Sequence, residues 1–250
     1  MRISWQDAGT GAPLLLIQGL GYGAWGWDPV VPGLAERFRV LSFDNRGSGG
    51  SEAPPGPYTA AEMAQDALEV LDEAGVERAH VVGASLGGMI AQELAVAHPE
   101  RVDRLVLCCT TPGGAGAVPM PEVTVRLFGE AASLEPHVAL RRFVENALAP
   151  GQDAVAAELF RRRLENPPDP VGWQGQAAAG TTFAGVDLAR VQAPTLVVHG
   201  TADNVVDPAN AALLAARLGG ARVELLAGAG HMLFWERPAE FVRVVSEFLA

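Results

Sequence analysis

Three short stretches carry residue types that can do nucleophilic chemistry. Gly83-Ala84-Ser85-Leu86-Gly87 sets a serine between two glycines. Gly200-Thr201-Ala202-Asp203 sets an aspartate just beyond an apolar run, and Ala227-Gly228-Ala229-Gly230-His231 ends a small-residue loop on a histidine. A serine hydroxyl is a poor nucleophile at neutral pH and needs a base beside it to take its proton. Imidazole is the usual base, and a carboxylate on its far nitrogen fixes the tautomer and stabilises the charged form. A serine, a histidine and an aspartate are thus the parts of a covalent acyl-transfer site, with Ser85, His231 and Asp203 as the candidates.

The serine stretch has a mechanical logic of its own. Ala79 to Ala84 is a short apolar run, and the residues from Leu86 onward repeat with helical period. A strand that turns sharply into a helix brings two backbones together, and only glycine fits at Gly83 and Gly87. The turn forces Ser85 into a strained conformation and pushes its hydroxyl beyond the strand end. The Leu86 N–H then lies at the positive end of the helix, where it can stabilise an oxyanion. The same residues also suit a plain strand–turn–helix with serine as N-cap. The acid and the histidine that follow favour the catalytic reading.

Five histidines compete for the role of base. His80 opens a strand, His98 ends a helix before Pro99, and His137 lies in a helical region. His199 ends a strand and ranks second to His231. Asp207, beside Pro208, reads better as a helix cap than as the acid.

The elements that must position these residues alternate. Strands are predicted at 2–7, 12–18, 38–43, 79–84, 104–109, 194–200 and 222–226. Helices are predicted at 29–37, 59–74, 86–98, 208–218 and 238–249. Thr59 and Glu62 form a capping-box pattern, and Asp187 caps a further short helix. Strands alternating with helices imply a parallel sheet whose sites lie beyond the carboxyl ends of the strands. Gly19, Ser85, Asp203 and His231 all fall there. From Thr110 to about Phe183 the strand pattern stops, and helical segments follow near 122–131, 136–148, 153–165 and 171–179. The Arg141-Arg142 and Arg161-Arg162-Arg163 clusters in that insertion read as solvated faces.

Composition bounds the function. The 250 residues are 49% apolar and carry a net charge of −11, and all 18 basic residues are arginine. The negative balance argues against nucleic acid or an anionic membrane as partner, and a catalytic lysine is excluded. No apolar run spans a bilayer, and the chain opens without a charged-then-apolar leader, so a cytoplasmic protein is expected. Cys108 and Cys109 are adjacent on a predicted strand, which points them to opposite faces and disfavours a disulfide. No P-loop or dinucleotide fingerprint accompanies the Gly-rich stretch Gln18-Gly19-Leu20-Gly21-Tyr22-Gly23.

With these residues assembled, the chain resembles the α/β-hydrolase superfamily, in particular its small capped esterase and 3-oxoadipate enol-lactonase-like branch. The resemblance rests on Gly83-Ala84-Ser85-Leu86-Gly87, Asp44-Asn45-Arg46-Gly47-Ser48-Gly49, Gly200-Thr201-Ala202-Asp203, and Gly230-His231 followed by Glu236-Arg237-Pro238. The order Ser…Asp…His is that of these hydrolases. The resemblance implies a mostly parallel sheet of about seven strands flanked by helices. It divides the chain into a core of 1–111 and 186–250 and a helical cap of 112–185, inserted after the sixth family strand. It implies oxyanion donors at the N–H groups of Leu20 and Leu86. Two departures stand out: Gln18 replaces the family's usual histidine before the oxyanion-loop glycine, and the family's usual first strand has no counterpart.

The activity implied is hydrolysis of a small-molecule ester or lactone without metal or organic cofactor, by a monomer or homodimer. Gly19, Trp25, Met89, Leu127, Phe128 and Trp173 are expected around the substrate, and no arginine stands out as a carboxylate clamp. The same triad serves carbon–carbon bond hydrolases and cofactor-free haloperoxidases or perhydrolases. It also occurs in ligand-sensing receptors of this fold. Ser85 excludes relatives that use aspartate as nucleophile.

Overall fold

Apolar residues that run on without a polar break have no solvent face, so they must be covered on both sides. Leu14, Leu15, Leu16 and Ile17 are all fully buried, as are Val81 and Val82 and the run Leu105 to Cys108. In the computed structural model, which describes residues 1–250, these runs are the inner strands of one seven-stranded sheet. The strands are β1 (Trp5–Ala8), β2 (Ala12–Ile17), β3 (Phe38–Phe43), β4 (Ala79–Ala84), β5 (Val102–Cys108), β6 (Thr195–Gly200) and β7 (Arg222–Leu226). Their order is β1-β3-β2-β4-β5-β6-β7, and all neighbours are parallel except β1 on β3.

Ten α-helices cover the sheet. They are α1 (Val31–Ala35), α2 (Ala60–Glu73), α3 (Leu86–Ala97), α4 (Glu122–Ala131), α5 (Pro136–Asn146), α6 (Asp153–Glu165), α7 (Pro170–Thr181), α8 (Ala209–Arg217), α9 (Leu233–Glu236) and α10 (Pro238–Leu249). Side chains on a strand alternate faces, so each inner strand feeds two cores. Leu15, Ile17, Val81, Leu105, Leu107 and Val197 pack with Met63, Ala67 and Leu71 of α2, Ile90 and Leu94 of α3, and Leu214 of α8. Leu14, Leu16, Val82, Val106, Leu196 and Val198 pack with Leu34 of α1, Phe234 of α9, and Phe241 and Val245 of α10.

Local chemistry sets several boundaries. Thr59 caps α2 as predicted: the Glu62 N–H donates to its hydroxyl at 3.1 Å, and its own N–H donates to the Glu62 carboxylate at 2.8 Å. Asp187 accepts from the Ala189 N–H at 3.3 Å and caps a 3-10 turn at Leu188–Arg190. The segment after β2 holds a 3-10 turn at Ala24–Trp27 that the apolar pattern does not announce. Cys109 lies beyond β5 at φ 40°, rather than within the strand as its apolar neighbours suggest. Both cysteines are free and buried, and burial pushes both thiol pKa values up.

Helices α4–α7 form the insertion between β5 and β6, and the core fastens it at several points. The Met232 N–H donates to Ala147 O at 3.0 Å, and the Ala149 N–H donates to the Glu236 carboxylate at 3.0 Å. The Thr124 hydroxyl of α4 donates to Asn204 O in the loop after β6. On α7, Gly172 lies so close to Gly47 that a Cβ on either would overlap the other's backbone.

Candidate active site

The link between β4 and α3 is the tight turn that the glycines require. A Cβ added at Gly83 would overlap the Gly87 carbonyl, and one added at Gly87 would overlap the Ile17 carbonyl. Ser85 takes φ 56° and ψ −119°, a region that L-residues avoid. Such a conformation costs about 1–3 kcal/mol and persists only where its surroundings impose it. Here the Ser85 N–H donates to Cys108 O at 2.9 Å, and Ser85 O accepts from the Thr110 hydroxyl at 2.7 Å and from the Gly88 N–H at 2.9 Å. Thr110 is a brace that sequence reasoning missed. Its side chain fills the space where a Cβ on Gly88 would stand. The Ser85 hydroxyl itself bonds to no protein group, and the half-buried side chain remains reachable.

The loop after β2 comes up against this turn. A Cβ on Gly19 would sit 3.1 Å from Ser85 Cβ. Within the loop, Gly19 and Gly21 have their N–H groups taken: the first donates to Gln18 Oε1 at 2.7 Å, the second to Gln176 Oε1 at 2.8 Å. The Leu20 N–H between them has no partner in the protein, and neither has the Leu86 N–H at the first turn of α3. Gln18 supports its loop by folding back on the next amide, while Asn45 Nδ2 donates to Gln18 O at 2.8 Å.

Asp203 and His231 meet at the carboxyl ends of β6 and β7. His231 Nδ1 donates to Asp203 Oδ2 at 2.8 Å, which leaves Nε2 as the free nitrogen. The other carboxylate oxygen accepts from the N–H groups of Val205 at 2.7 Å and Val206 at 2.9 Å. The fourth donor to Asp203 is His199 Nε2, 3.0 Å from Oδ2 and also 3.0 Å from Val206 O. Two acceptors on one nitrogen fix the hydrogen there, and His199 Nδ1 is left buried without a partner. Burial alone would push the Asp203 pKa up, but the His231 charge and the two imidazole donors hold it well below the ordinary carboxylate range.

The runner-up candidates separate cleanly. His199 is fully buried with its one donor nitrogen on the acid, so it supports Asp203 and reaches no ligand. Asp207 accepts from the Ala209 N–H at 2.9 Å at the start of α8, whose N-cap position is Pro208. Glu236, in the stretch after His231, accepts from the Gly230 N–H at 3.1 Å and so holds the histidine loop. His231 and Ser85 are not joined by a hydrogen bond in this structure. Such contacts are often long in free enzymes and tighten in complexes.

The expected pocket residues divide. Trp173 of α7 stands by the Gly19–Gly23 loop, with its Cδ1 3.0 Å from where a Gly21 Cβ would lie. Trp25 lies between Tyr22, tilted at 42° with centroids 5.2 Å apart, and Trp235, edge-on at 78° with centroids 6.1 Å apart. Met89 is partly buried against the α2–α3 core. Leu127 and Phe128 lie on α4 of the insertion. Leu127 lines a cleft of about 440 Å³ between α4 and α5, and Phe128 is 42% exposed against Phe143. Helical period gives the apolar face of α4, but it does not give the direction that face takes over the sheet.

The arginine cluster also departs from a solvated face. Arg161 pairs with Glu158 and Glu165 on the surface. Arg162 pairs with Asp28 and lies over Trp25. Arg163 donates to Gly21 O and lies 4.6 Å over the Tyr22 ring, with no acidic partner. The Tyr22 pKa is raised by burial, with Arg163 opposing.

Known proteins resemble this chain in sequence and fold. The profile of the alpha/beta hydrolase fold matches residues 12–238. The 2-hydroxymuconate semialdehyde hydrolase of Pseudomonas sp. (strain CF600) is 33% identical over 265 residues, covering 100% of this chain and 91% of that protein. A hydrolase from Pseudomonas aeruginosa PA01 superposes with a TM-score of 0.85 at 34% identity, covering 99% of this chain and 94% of the other. The enol-lactonase of Burkholderia xenovorans LB400 gives 0.83 at 30% identity, covering 99% and 96%. That similarity agrees with the branch indicated by the sequence motifs. The strand order, the serine turn and these relatives concur over nearly the whole length, and the chain belongs to the alpha/beta hydrolase fold family.

Proposed function

We propose that the protein cleaves carboxylic esters or lactones through a covalent acyl-enzyme, with Ser85 as nucleophile, His231 as base and Asp203 as its orienting acid. One observation carries the reading: two unpaired amides, Leu20 and Leu86, flank a serine held in a strained turn. His231 Nε2 takes the Ser85 proton as Oγ adds to the carbonyl carbon. The oxyanion is received by the two amides, each such donor being worth about 2.7–4 kcal/mol. His231 then hands the proton to the leaving oxygen, the alcohol departs, and the acyl group stays on Ser85. Water deprotonated by His231 releases the acid. Asp203 remains ionised throughout and faces the imidazolium at Nδ1. Helices α4–α7 act as a cap that limits water around the acyl-enzyme.

The test is a set of initial rates on p-nitrophenyl esters from acetate to decanoate, run beside lactones, with Ser85→Ala as control. Multiple turnovers with a chain-length optimum, lost in Ser85→Ala, support the reading. A single turnover, together with a large ligand-induced rise in melting temperature, indicates a receptor instead. A second reading, carbon–carbon bond hydrolysis of a carboxylate-bearing substrate, is favoured by Arg163, whose guanidinium lies on the oxyanion loop without an acid. Assaying 2-hydroxymuconate semialdehyde beside the ester panel separates the two.

A further inference from the structure

The Leu20 amide is useful only if its peptide keeps one orientation, and the loop's own bonds do little to enforce it. Gly19 O accepts from the Tyr22 N–H at a long 3.3 Å, and Gly21 sits at φ 71°, where glycine is freest. The firm grip is on the next peptide, Leu20–Gly21, and comes from the insertion. Gln176 of α7 is fully buried, and its side-chain amide uses one acceptor and two donor bonds. Oε1 accepts from the Gly21 N–H at 2.8 Å. Nε2 donates to Arg46 O at 2.8 Å and to Ser48 Oγ at 2.9 Å. The donors fix which end of the amide faces Gly21, since a flipped amide would set N–H against N–H. The helix is seated by backbone as well: a Cβ on Gly175 would come within 2.5 Å of the Tyr58 ring.

We propose that Gln176 is a positioning residue that sets the oxyanion hole from the cap: it holds the Leu20–Gly21 peptide and so limits rotation of the adjoining Gly19–Leu20 peptide, which carries the Leu20 N–H. The inference rests on the reading that Leu20 N–H receives the oxyanion. Gln176 touches no reacting atom; it acts through Gly21. The hole is therefore complete only while α7 is seated on the Gly19–Gly23 and Asp44–Ser51 loops, which couples cap docking to transition-state stabilisation.

The experiment compares Gln176→Met and Gln176→Glu with wild type for kcat, KM and melting temperature on the best ester of the panel. Methionine keeps the volume and removes all three bonds; glutamate keeps an acceptor for Gly21 and loses the amide donors. Losing an oxyanion donor outright costs about 100–1,000-fold in kcat. A donor loosened in place is expected to lose about 10–100-fold in Gln176→Met, with KM within about 3-fold. Gln176→Glu should melt lower yet keep kcat within about 5-fold of wild type. A role confined to docking predicts that kcat follows the melting temperature in both variants, and that pattern overturns the proposal. So does an unchanged kcat in Gln176→Met. Should Gln176→Met fail to fold, Gln176→Glu decides alone: retained kcat with a lowered melting temperature supports the proposal, and kcat lost at an unchanged melting temperature refutes it. If wild type hydrolyses no ester or lactone, the acyl-transfer reading has failed instead. Amide exchange at Gly21 then still tests the grip: it should be faster in Gln176→Met, and an unchanged rate refutes the proposal.

Discussion

Replacing Ser85 with glycine should destroy activity and make the protein more stable. The serine sits at φ 56° and ψ −119°, and its hydroxyl bonds to no protein group, so removing the side chain sacrifices no hydrogen bond. Glycine adopts this backbone freely and releases the strain of about 1–3 kcal/mol. Its extra freedom in the unfolded chain returns about 0.4–1 kcal/mol of that. The net gain is about 0.5–2 kcal/mol. At this chain length each kcal/mol moves the melting temperature by about 2–4 °C, so Ser85→Gly should melt about 1–8 °C above wild type. Ser85→Ala is the control: it loses the nucleophile but keeps the Cβ and therefore the strain, and it should melt within about 1 °C of wild type. Scanning calorimetry of the three proteins at one pH is sufficient. Equal melting temperatures for the glycine and alanine variants, or a glycine variant that melts below wild type, would refute the account of a strained turn.

Asp203→Asn should lower kcat by about four orders of magnitude, measured as steady-state ester hydrolysis. The folded pKa of Asp203 is depressed, so its contribution to stability is complete above the ordinary carboxylate value of about 3.9 and fades as pH falls below it. Urea titrations should therefore find a larger penalty for Asp203→Asn at pH 7 than at pH 3, and equal penalties would count against that linkage. His199→Phe removes one donor from the buried carboxylate and should destabilise the fold by about 1.5–3 kcal/mol in the same titration. Gly83→Ala drives a methyl into the Gly87 carbonyl and should cost about 1–3 kcal/mol or more; a loss below 0.5 kcal/mol, read from urea midpoints, would contradict the contact.

The catalytic candidates were legible because each sits where a strand ends and the chain must turn. The apolar run before Ser85, the flanking glycines and the loops of Asp203 and His231 are local signals, and local signals survive in sequence. The supports were not legible. Gln176 lies 155 residues from the Gly21 amide it holds, and Thr110 braces Ser85 from the loop after β5. Nothing in the stretch Trp173-Gln174-Gly175-Gln176 says which glutamine faces inward. His199 stood out as a histidine at a strand end, but only the packing reveals that its ring lies against the acid. Arg162 and Arg163 looked like surface charge because a helix pattern does not say what another segment brings to its flank. For Leu127 and Phe128 the limit is related, since periodicity fixes a face and not its bearing.

The inner strands raise a question of alignment that their composition does not answer. Where every side chain is apolar, sliding one strand past its neighbour by a residue leaves burial almost unchanged, and the usual in–out code that selects a register is missing. Here Ile17 of β2 stands opposite Gly83 of β4, and the Gly87 backbone rests directly on the Ile17 and Gln18 carbonyls. A slip of β4 lifts Gly87 off that rest, and in one direction it brings the bulk of Leu86 there instead. The turn that presents the serine therefore also acts as the peg that aligns the centre of the sheet. Mutations that relax this turn should yield chains that collapse readily yet pair their strands in more than one alignment.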